Sequence, residues 1–274
     1  MNNNSCLVPS NRKISVDQAF DNDADGLNMK NHQFVRLVAK GKSFVNCDFS
    51  FSDFDSVYLR NCSFDSCKFV GCKFSNSNLR GSTFTGCKFD YVNFSHTHVE
   101  PEILDSGFPS QENLQLRFAR TLRLNFNQIG DADSANEAIN LELESTRIHF
   151  YKAWRSREAY YRKKYPGLKR FGMYLKWARF VALDFFWGNG ESPLKLMRSL
   201  AVFSLVVAIG DVVTFRNSSD FASYIAAIDQ VPAIILGVVS PPHYSGLSLT
   251  LIATVRYVML ACLVSMLIKR LSKR

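Results

Sequence analysis

Cys62-Ser-Phe64-Asp-Ser-Cys67-Lys-Phe69-Val-Gly-Cys72-Lys-Phe74 repeats a small residue and a phenylalanine every five positions, and this period decides the fold. The register runs unbroken from Phe34 to Leu104 through Phe34, Ala39, Phe44, Phe49, Phe54, Leu59, Phe64, Phe69, Phe74, Leu79, Phe84, Phe89, Phe94, Val99 and Leu104. A period of five matches neither a 3.6-residue helix nor a two-residue strand alternation, so the chain has to turn a corner once per unit.

A longer period lies inside the short one. The centres that are not Phe, apart from the final Leu104, are Ala39, Leu59, Leu79 and Val99, twenty residues apart. Four units per coil stack residues twenty apart, giving three columns of Phe and one of smaller aliphatics, which is a four-sided β-helix. Two positions before each centre stand residues small enough for a narrow interior, among them Cys47, Ser52, Val57, Cys62, Cys67, Cys72, Ser77, Ser82 and Cys87. The predicted core therefore includes Phe49, Phe69, Phe89, Leu59, Leu79 and the column Cys47, Cys67, Cys87. At strand spacing of about 4.8 Å the fifteen units make just under four coils, a rod roughly 18 Å long.

The units Cys67-Lys-Phe, Cys72-Lys-Phe, Ser77-Asn-Leu-Arg-Gly and Cys87-Lys-Phe resemble the pentapeptide-repeat family, over about a quarter of the chain. The resemblance implies a right-handed quadrilateral β-helix. It leaves function open, because the family includes interaction modules, topoisomerase-protecting DNA mimics and domains appended to membrane proteins. A DNA mimic needs a dense negative surface, and the repeat segment nearly balances its Lys and Arg against its Asp and Glu. That excludes the mimic reading and leaves a sensing or docking role.

Five of the seven cysteines fall at the inward repeat position, where a thiol acts as a small hydrophobe, so a reducing compartment is expected rather than a disulfide framework. Stacked thiols on parallel walls do not converge on a metal, and no metal or cofactor is expected. The Asn-rich start, Met1 to Lys13, does not read as a secretory signal, and residues 1–31 are expected to form a loosely ordered lead-in before a β-helix over 32–105. His96-Thr-His98 sits on outward repeat edges without ligand partners. With no nucleophile–base pair and no phosphate loop, an enzyme is not expected.

Beyond Pro101 the pattern becomes helical. Leu114, Phe118, Leu122 and Phe126 end at Gly130-Asp131, and Ala135, Ala138, Ile139 and Leu141 begin a second helix capped by Asp131, Asp133 or Ser134, with Glu142, Glu144, Arg147 and Arg155 outside. The spacing resembles a helical hairpin that follows pentapeptide repeats in bacterial membrane proteins, and the hairpin and linker span 111–165.

The net charge of +9 is local. Tyr151 to Arg198 holds twelve Lys or Arg against Glu158, Asp184 and Glu191. Aromatic and basic residues interleave there, including Lys163, Lys164, Lys169, Arg170, Trp177 and Trp187, just before the first long apolar run. That position favours membrane lipids over nucleic acid and predicts an amphipathic interfacial helix over 166–190.

The segment 191–274 reads as a two-span domain. Leu196–Phe215 and Leu247–Ile268 are long enough to span, with basic outer flanks at the first span and at Lys269-Arg270 and Lys273-Arg274 that place both termini in the cytoplasm. The intervening Phe221–Pro242 is apolar enough to dip back in, but Pro232, Pro241 and Pro242 argue against a third straight span, so a short helix followed by extended backbone is expected.

Span, re-entrant helix, extended strand and span resembles the two-span potassium-channel pore, as does Trp187-Gly-Asn-Gly-Glu191-Ser-Pro193 ahead of the first span. The stretch at the filter position reads Ile234-Ile235-Leu236-Gly237-Val238-Val239-Ser240. With one glycine in place of a Thr-x-Gly-Tyr-Gly strand it is degenerate, and potassium selectivity is not expected. The resemblance implies a homo-oligomer, tetrameric like those channels. The pore and gating candidates are Asp211, Asp229, Ile235, Leu236, Gly237, Val238, Val239, Ser240 and Arg256, with Asp211 and Arg256 placed to pair across the spans.

The expected fold class is thus a mixed β and α membrane protein: β-helix, helical hairpin linker, and two transmembrane helices with a re-entrant loop. The functional expectation is a bacterial inner-membrane channel or membrane-permeabilising effector, as in phage defence, with an unknown cytosolic protein or signal at the β-helix. The alternative is a non-conducting, membrane-anchored interaction scaffold.

Overall fold

The computed structural model describes residues 12–107 and 109–271. It divides into two compact units, Met1–Lys164 and Tyr165–Arg274.

The first unit is built on eleven short strands among the described residues: β1 (Lys13–Val16), β2 (Ala24–Asp25), β3 (His32–Val35), β4 (Val38–Lys40), β5 (Ser43–Val45), β6 (Asp53–Asp55), β7 (Tyr58–Arg60), β8 (Ser63–Asp65), β9 (Lys73–Ser75), β10 (Thr83–Thr85) and β11 (Asn93–Ser95). All pairings are parallel. One sheet runs β1-β3-β6-β9-β11, a second β10-β8-β5-β2 and a third β4-β7. A fourth side is closed by the bridges Asn28↔Asp48, Asp48↔Lys68 and Lys68↔Lys88. From β3 onward the partners are twenty residues apart, as in Phe34↔Phe54 and Phe54↔Phe74, so the superperiod is one coil of a four-sided β-solenoid of about four turns.

The corner falls two residues after each centre. Arg36, Asn46, Phe51, Ser56, Asn61, Ser66, Asn76, Tyr91 and His96 all have positive φ, and Gly41, Gly71, Gly81 and Gly86 fill the remaining corners of the series. No β-branched residue occurs among them, because a branched Cβ clashes in the left-handed region. Inside, the Phe rings stack almost in parallel from coil to coil, with centroids 5.4 Å apart for Phe49–Phe69 and 5.2 Å for Phe69–Phe89. Leu59, Leu79, Cys47, Cys67 and Cys87 complete the buried core with them.

The small inward residues also satisfy backbone groups. Ser82 Oγ donates to Leu59 O at 2.7 Å and accepts from Cys62 N at 2.9 Å, and the thiol of Cys67 donates to Phe44 O at 3.3 Å. Serine and cysteine recur there because each coil would otherwise bury unpaired polar atoms. The five cysteines are free and buried.

The solenoid begins earlier than the repeat suggested. Residues 13–31, expected to be a loosely ordered lead-in, form a first coil in which β1 pairs with β3 and β2 with β5; residues 1–11 lie outside the described part. The register explains the miss. Ser15 pairs with Phe34, nineteen residues on, whereas Ala24 pairs with Phe44, twenty on. One residue is missing from that coil, so its centres read Ser15, Phe20, Ala24 and Met29 and escape a strict period of five.

The far end is closed by helices: α1 (Ile103–Ser106), α2 (Glu112–Gln128), α3 (Ala132–Arg155) and α4 (Ala159–Lys164). Side chains of α2 take the place of a next coil. Asn125, fully buried, accepts from Thr97 N at 2.8 Å and donates to Thr97 O at 2.7 Å. Thr121 Oγ1 accepts from Phe94 N, and Gln128 Oε1 from His96 N, each at 3.0 Å. An open parallel edge is thereby paired without a strand.

Asp131 caps α3, accepting from Ser134 N at 3.1 Å. Glu142, expected on the outer face, instead lies between α2 and α3 and binds Arg120 at 3.0 Å and Arg123 at 2.7 Å.

The second unit contains α5 (Leu168–Trp187), a short 3-10 turn at Gly188–Gly190, α6 (Pro193–Phe215), α7 (Phe221–Leu236) and α8 (Gly246–Leu271). Helix α6 and residues Gly246–Lys269 of α8 are long and apolar enough to cross a membrane by length and composition. The basic tail at Lys273-Arg274 lies outside the described residues.

Candidate functional site

The site is built around α7. Asp220 caps its start, accepting from Ala222 N at 3.1 Å. The helix then runs through Pro232 and stops at Gly237, whose φ is 76°. Val238 N donates to Ala233 O at 2.8 Å and Gly237 N to Ile234 O at 3.0 Å, the paired bonds of a Schellman ending. Ile234, Ile235 and Leu236 are therefore the last helical turn, whereas the channel resemblance placed them in an extended strand. The Schellman bonds explain the difference, since they draw the backbone of that stretch into the helix end.

Sixteen residues of helix rise about 24 Å, less than the ~30 Å hydrocarbon thickness. The apolar side of α7 is packed: Ala227, Val231, Ile234 and Ile235 form a buried cluster with Ala208 and Val212 of α6 and Ile252 of α8. Asp229, Leu236, Gly237, Val238, Val239 and Ser240 are exposed.

The Asp211–Arg256 pairing expected across the spans does not occur. Asp211, with its side chain 1% exposed, accepts from Arg216 Nε at 2.6 Å and lies 3.3 Å from His243 Nε2. Arg216 also donates to Gln230 Oε1 of α7 at 2.6 Å, and Phe215 stacks on Tyr244 with centroids 5.4 Å apart. Burial and then the Asp211 carboxylate push the Tyr244 phenol up to about 12. A buried carboxylate needs a partner within reach, and Arg216 stands five residues further along the chain, at the end of the same helix. This clasp ties α6, α7 and the segment before α8 together. Sequence reading missed Arg216, Gln230, His243 and Tyr244; the clue available was a second charge just past the end of the first apolar run.

Arg256 instead sits beside Gly237 and over the ring of its neighbour Tyr257, at 4.7 Å from the centroid. It borders an apolar cavity of about 570 Å³ lined by Leu196, Leu200, Ile235, Leu236 and Leu260 among others.

The expected membrane-surface residues fall on two helices. Lys163 and Lys164 are exposed on α4, and Lys169 and Arg170 are exposed in the first turn of α5, while Trp177 and Trp187 are half-buried on α5. The end of α5 is fastened to α6 by Lys195–Asp184 at 2.8 Å and by Ser199 Oγ donating to Phe186 O at 2.7 Å.

No group of His, Cys, Asp and Glu capable of holding a metal occurs among the described residues.

Together these features define the class: a solenoid of five-residue units, followed by a helical part with two helices that weakly suggest membrane association. Residues 40–106 match the family model described as pentapeptide repeat region, and this segment is a pentapeptide-repeat domain.

Among solved structures the chain is similar to the pentapeptide repeat protein Rfr23 from the cyanobacterium Cyanothece 51142, at 18% identity over 28% of this chain and 55% of that one, TM-score 0.22. It is also similar to a pentapeptide repeat protein of the Arabidopsis thaliana thylakoid lumen, at 12% identity over 47% and 88%, TM-score 0.22. A third is QnrB1, a plasmid-mediated fluoroquinolone resistance protein, at 21% identity over 31% and 56%, TM-score 0.18. The chain thus spans about half the length of the first of these structures. No curated protein matches the chain.

Proposed function

We propose that this chain is an oligomeric protein of the bacterial inner membrane, in which the β-helix is a cytosolic docking or sensing domain and the two-span unit forms a regulated, non-selective pathway. In its strongest form it is an effector that permeabilises the membrane when triggered. The observation that carries the reading is α7, an apolar helix too short to span that is nonetheless packed in the core of its unit against both long helices. Backbone that ends inside hydrocarbon is tolerated only where it is buried in protein or lines a water-filled cavity. The exposed stretch Leu236–Ser240 then needs neighbouring copies or water.

The scaffold reading is favoured by one feature, the lone Gly237 in that stretch, which does not supply a ladder of stacked carbonyls. Flux of small ions and fluorescent dyes from liposomes holding the purified protein separates the two. Leakage that rises with protein density supports the pathway. Absence of flux at every voltage, with an oligomer confirmed by light scattering, supports the scaffold, and a detergent-stable monomer defeats the pore.

A further inference from the structure

The β-helix is close to neutral as a whole, but one of its faces stacks three cations in register. Lys40 and Arg60 are register partners in β4 and β7. The next coil continues the column, because Asn61 N donates to Arg80 O at 3.0 Å and Leu59 N to Asn78 O at 2.8 Å. Lys40, Arg60 and Arg80 therefore stand one above another at paired-strand spacing, about 4.8 Å per rung. Like charges facing each other across paired strands are destabilising.

Elsewhere on the solenoid four cations are neutralised, Arg12 by Asp53 at 2.8 Å, Arg36 by Asp17 at 2.6 Å, and Lys30 and Lys68 by Asp48 at 3.2 and 3.7 Å. The columns there mix signs, with Lys73 in register with Asp53 and Lys68 with Asp48. Among the described residues none of the three ladder cations has a carboxylate within ion-pair distance. Arg60 reaches only the Tyr58 hydroxyl, at 3.4 Å, and its Nε is buried without a hydrogen-bond partner. Arg80 lies 3.2 Å from His98 Nδ1. The fourth rung, Glu100, accepts from Gly81 N at 2.9 Å and ends the ladder.

We propose that this ladder is the docking strip of the β-helix, and that its occupant is an extended acidic polypeptide segment lying along the rod. The strip is one strand wide, and Asp55 and Asp65 stand on the two adjoining faces, at the outward positions of β6 and β8. A nucleic-acid duplex broad enough to straddle those faces meets both carboxylates, whereas a single extended chain does not. Val38, 44% exposed, and Tyr58 at the other edge of the same strands offer apolar contact for alternate side chains. The proposal rests on the docking reading of the β-helix and is independent of whether the second unit conducts.

The test uses the full chain in a neutral detergent and a short oligoglutamate peptide bearing a photo-crosslinker and a fluorophore. Crosslinks are expected at residues 38–41, 58–61 and 78–81, with affinity falling as salt is raised. K40E/R60E/R80E is expected to remove these crosslinks and to weaken binding at least about tenfold, as loss of complementary charges does. K40Q/R60Q/R80Q gives a smaller loss on a scaffold without new repulsion. K163E/K164E/K169E, in the basic segment after the hairpin, leaves the ladder crosslinks in place. Crosslinks outside the ladder, or ladder crosslinks that survive the charge reversal, overturn the proposal. So does a single-stranded RNA of equal charge that displaces the peptide more effectively than unlabelled peptide. Liposome flux is read separately, so its failure leaves this result untouched.

Discussion

Arg256 occupies the space that a β-carbon on Gly237 would fill, so the guanidinium rests against bare backbone at the end of α7. The glycine does two things there. It adopts φ 76°, which closes the helix, and it lets a cation approach the negative end of the helix dipole. Gly237→Ala is expected to destabilise the second unit by about 1–2 kcal/mol from the left-handed backbone alone, plus the cost of displacing Arg256. Thermal unfolding in detergent measures the sum. A double-mutant cycle with Arg256→Gln should recover the displacement part, and strict additivity would show that the two residues do not interact.

Asn125 substitutes for a missing strand by pairing with both Thr97 N and Thr97 O. Asn125→Leu keeps the volume roughly but leaves two buried backbone groups unpaired, at about 1–3 kcal/mol each. The expected readout is a lower unfolding midpoint and faster amide exchange at Thr97, with exchange at mid-rod positions such as Phe69 less affected. Equal acceleration along the whole rod would argue against a local capping role.

Four of the five inward thiols, Cys47, Cys62, Cys67 and Cys72, should be inert while the solenoid is folded. Burial pushes the Cys72 thiol up to about 12, and it pushes Cys62 up as well. Since the thiolate is the reactive form, alkylating reagents at pH 8 should modify none of Cys47, Cys62, Cys67 and Cys72 in the native protein and all four in denaturant. Peptide mapping by mass spectrometry reads this directly, and native labelling of Cys67 would contradict the packed column.

The Glu112–Lys152 pair joins the start of α2 to the end of α3, with the Tyr161 hydroxyl 3.3 Å from the same carboxylate. Burial pushes Glu112 up, but hydrogen bonds from Lys152 and the backbone, together with the lysine charge, outweigh it and leave the group below its ordinary 4.5. A carboxylate lowered in the folded state binds fewer protons than in the unfolded chain, so its stabilisation is present above 4.5 and is lost as pH falls through the depressed value. Unfolding of Glu112→Gln measured from neutral pH to pH 3 should therefore converge with wild type at the acid end. A constant difference across that range would disprove the linkage.

The solenoid from Phe34 onward was legible because its rule is local and repeated. Each unit carries an inward small residue, an inward apolar centre and a corner, and a fault in one unit does not hide the others. The first coil was not legible, since one absent residue between Phe20 and Ala24 breaks the spacing while the backbone still pairs. The apolar helices could be read from length and composition alone. The polar clasp could not, because Asp211 had two candidate cations, and the choice of Arg216 over Arg256 depends on where α6 ends and how α7 packs on it.

By itself, the sequence determined a rod with Phe columns, a helical cap and a basic, then apolar, second half, because periodicity and composition are properties of neighbours along the chain. Only the tertiary structure decided which residues meet in the first coil, at the capped end and between helices: Ser15 with Phe34, Asn125 with Thr97, Asp211 with Arg216 and His243. Those pairings follow from register and packing angle. A shift of one residue in a strand or of part of a turn in a helix changes every partner while leaving the composition and the period as they were.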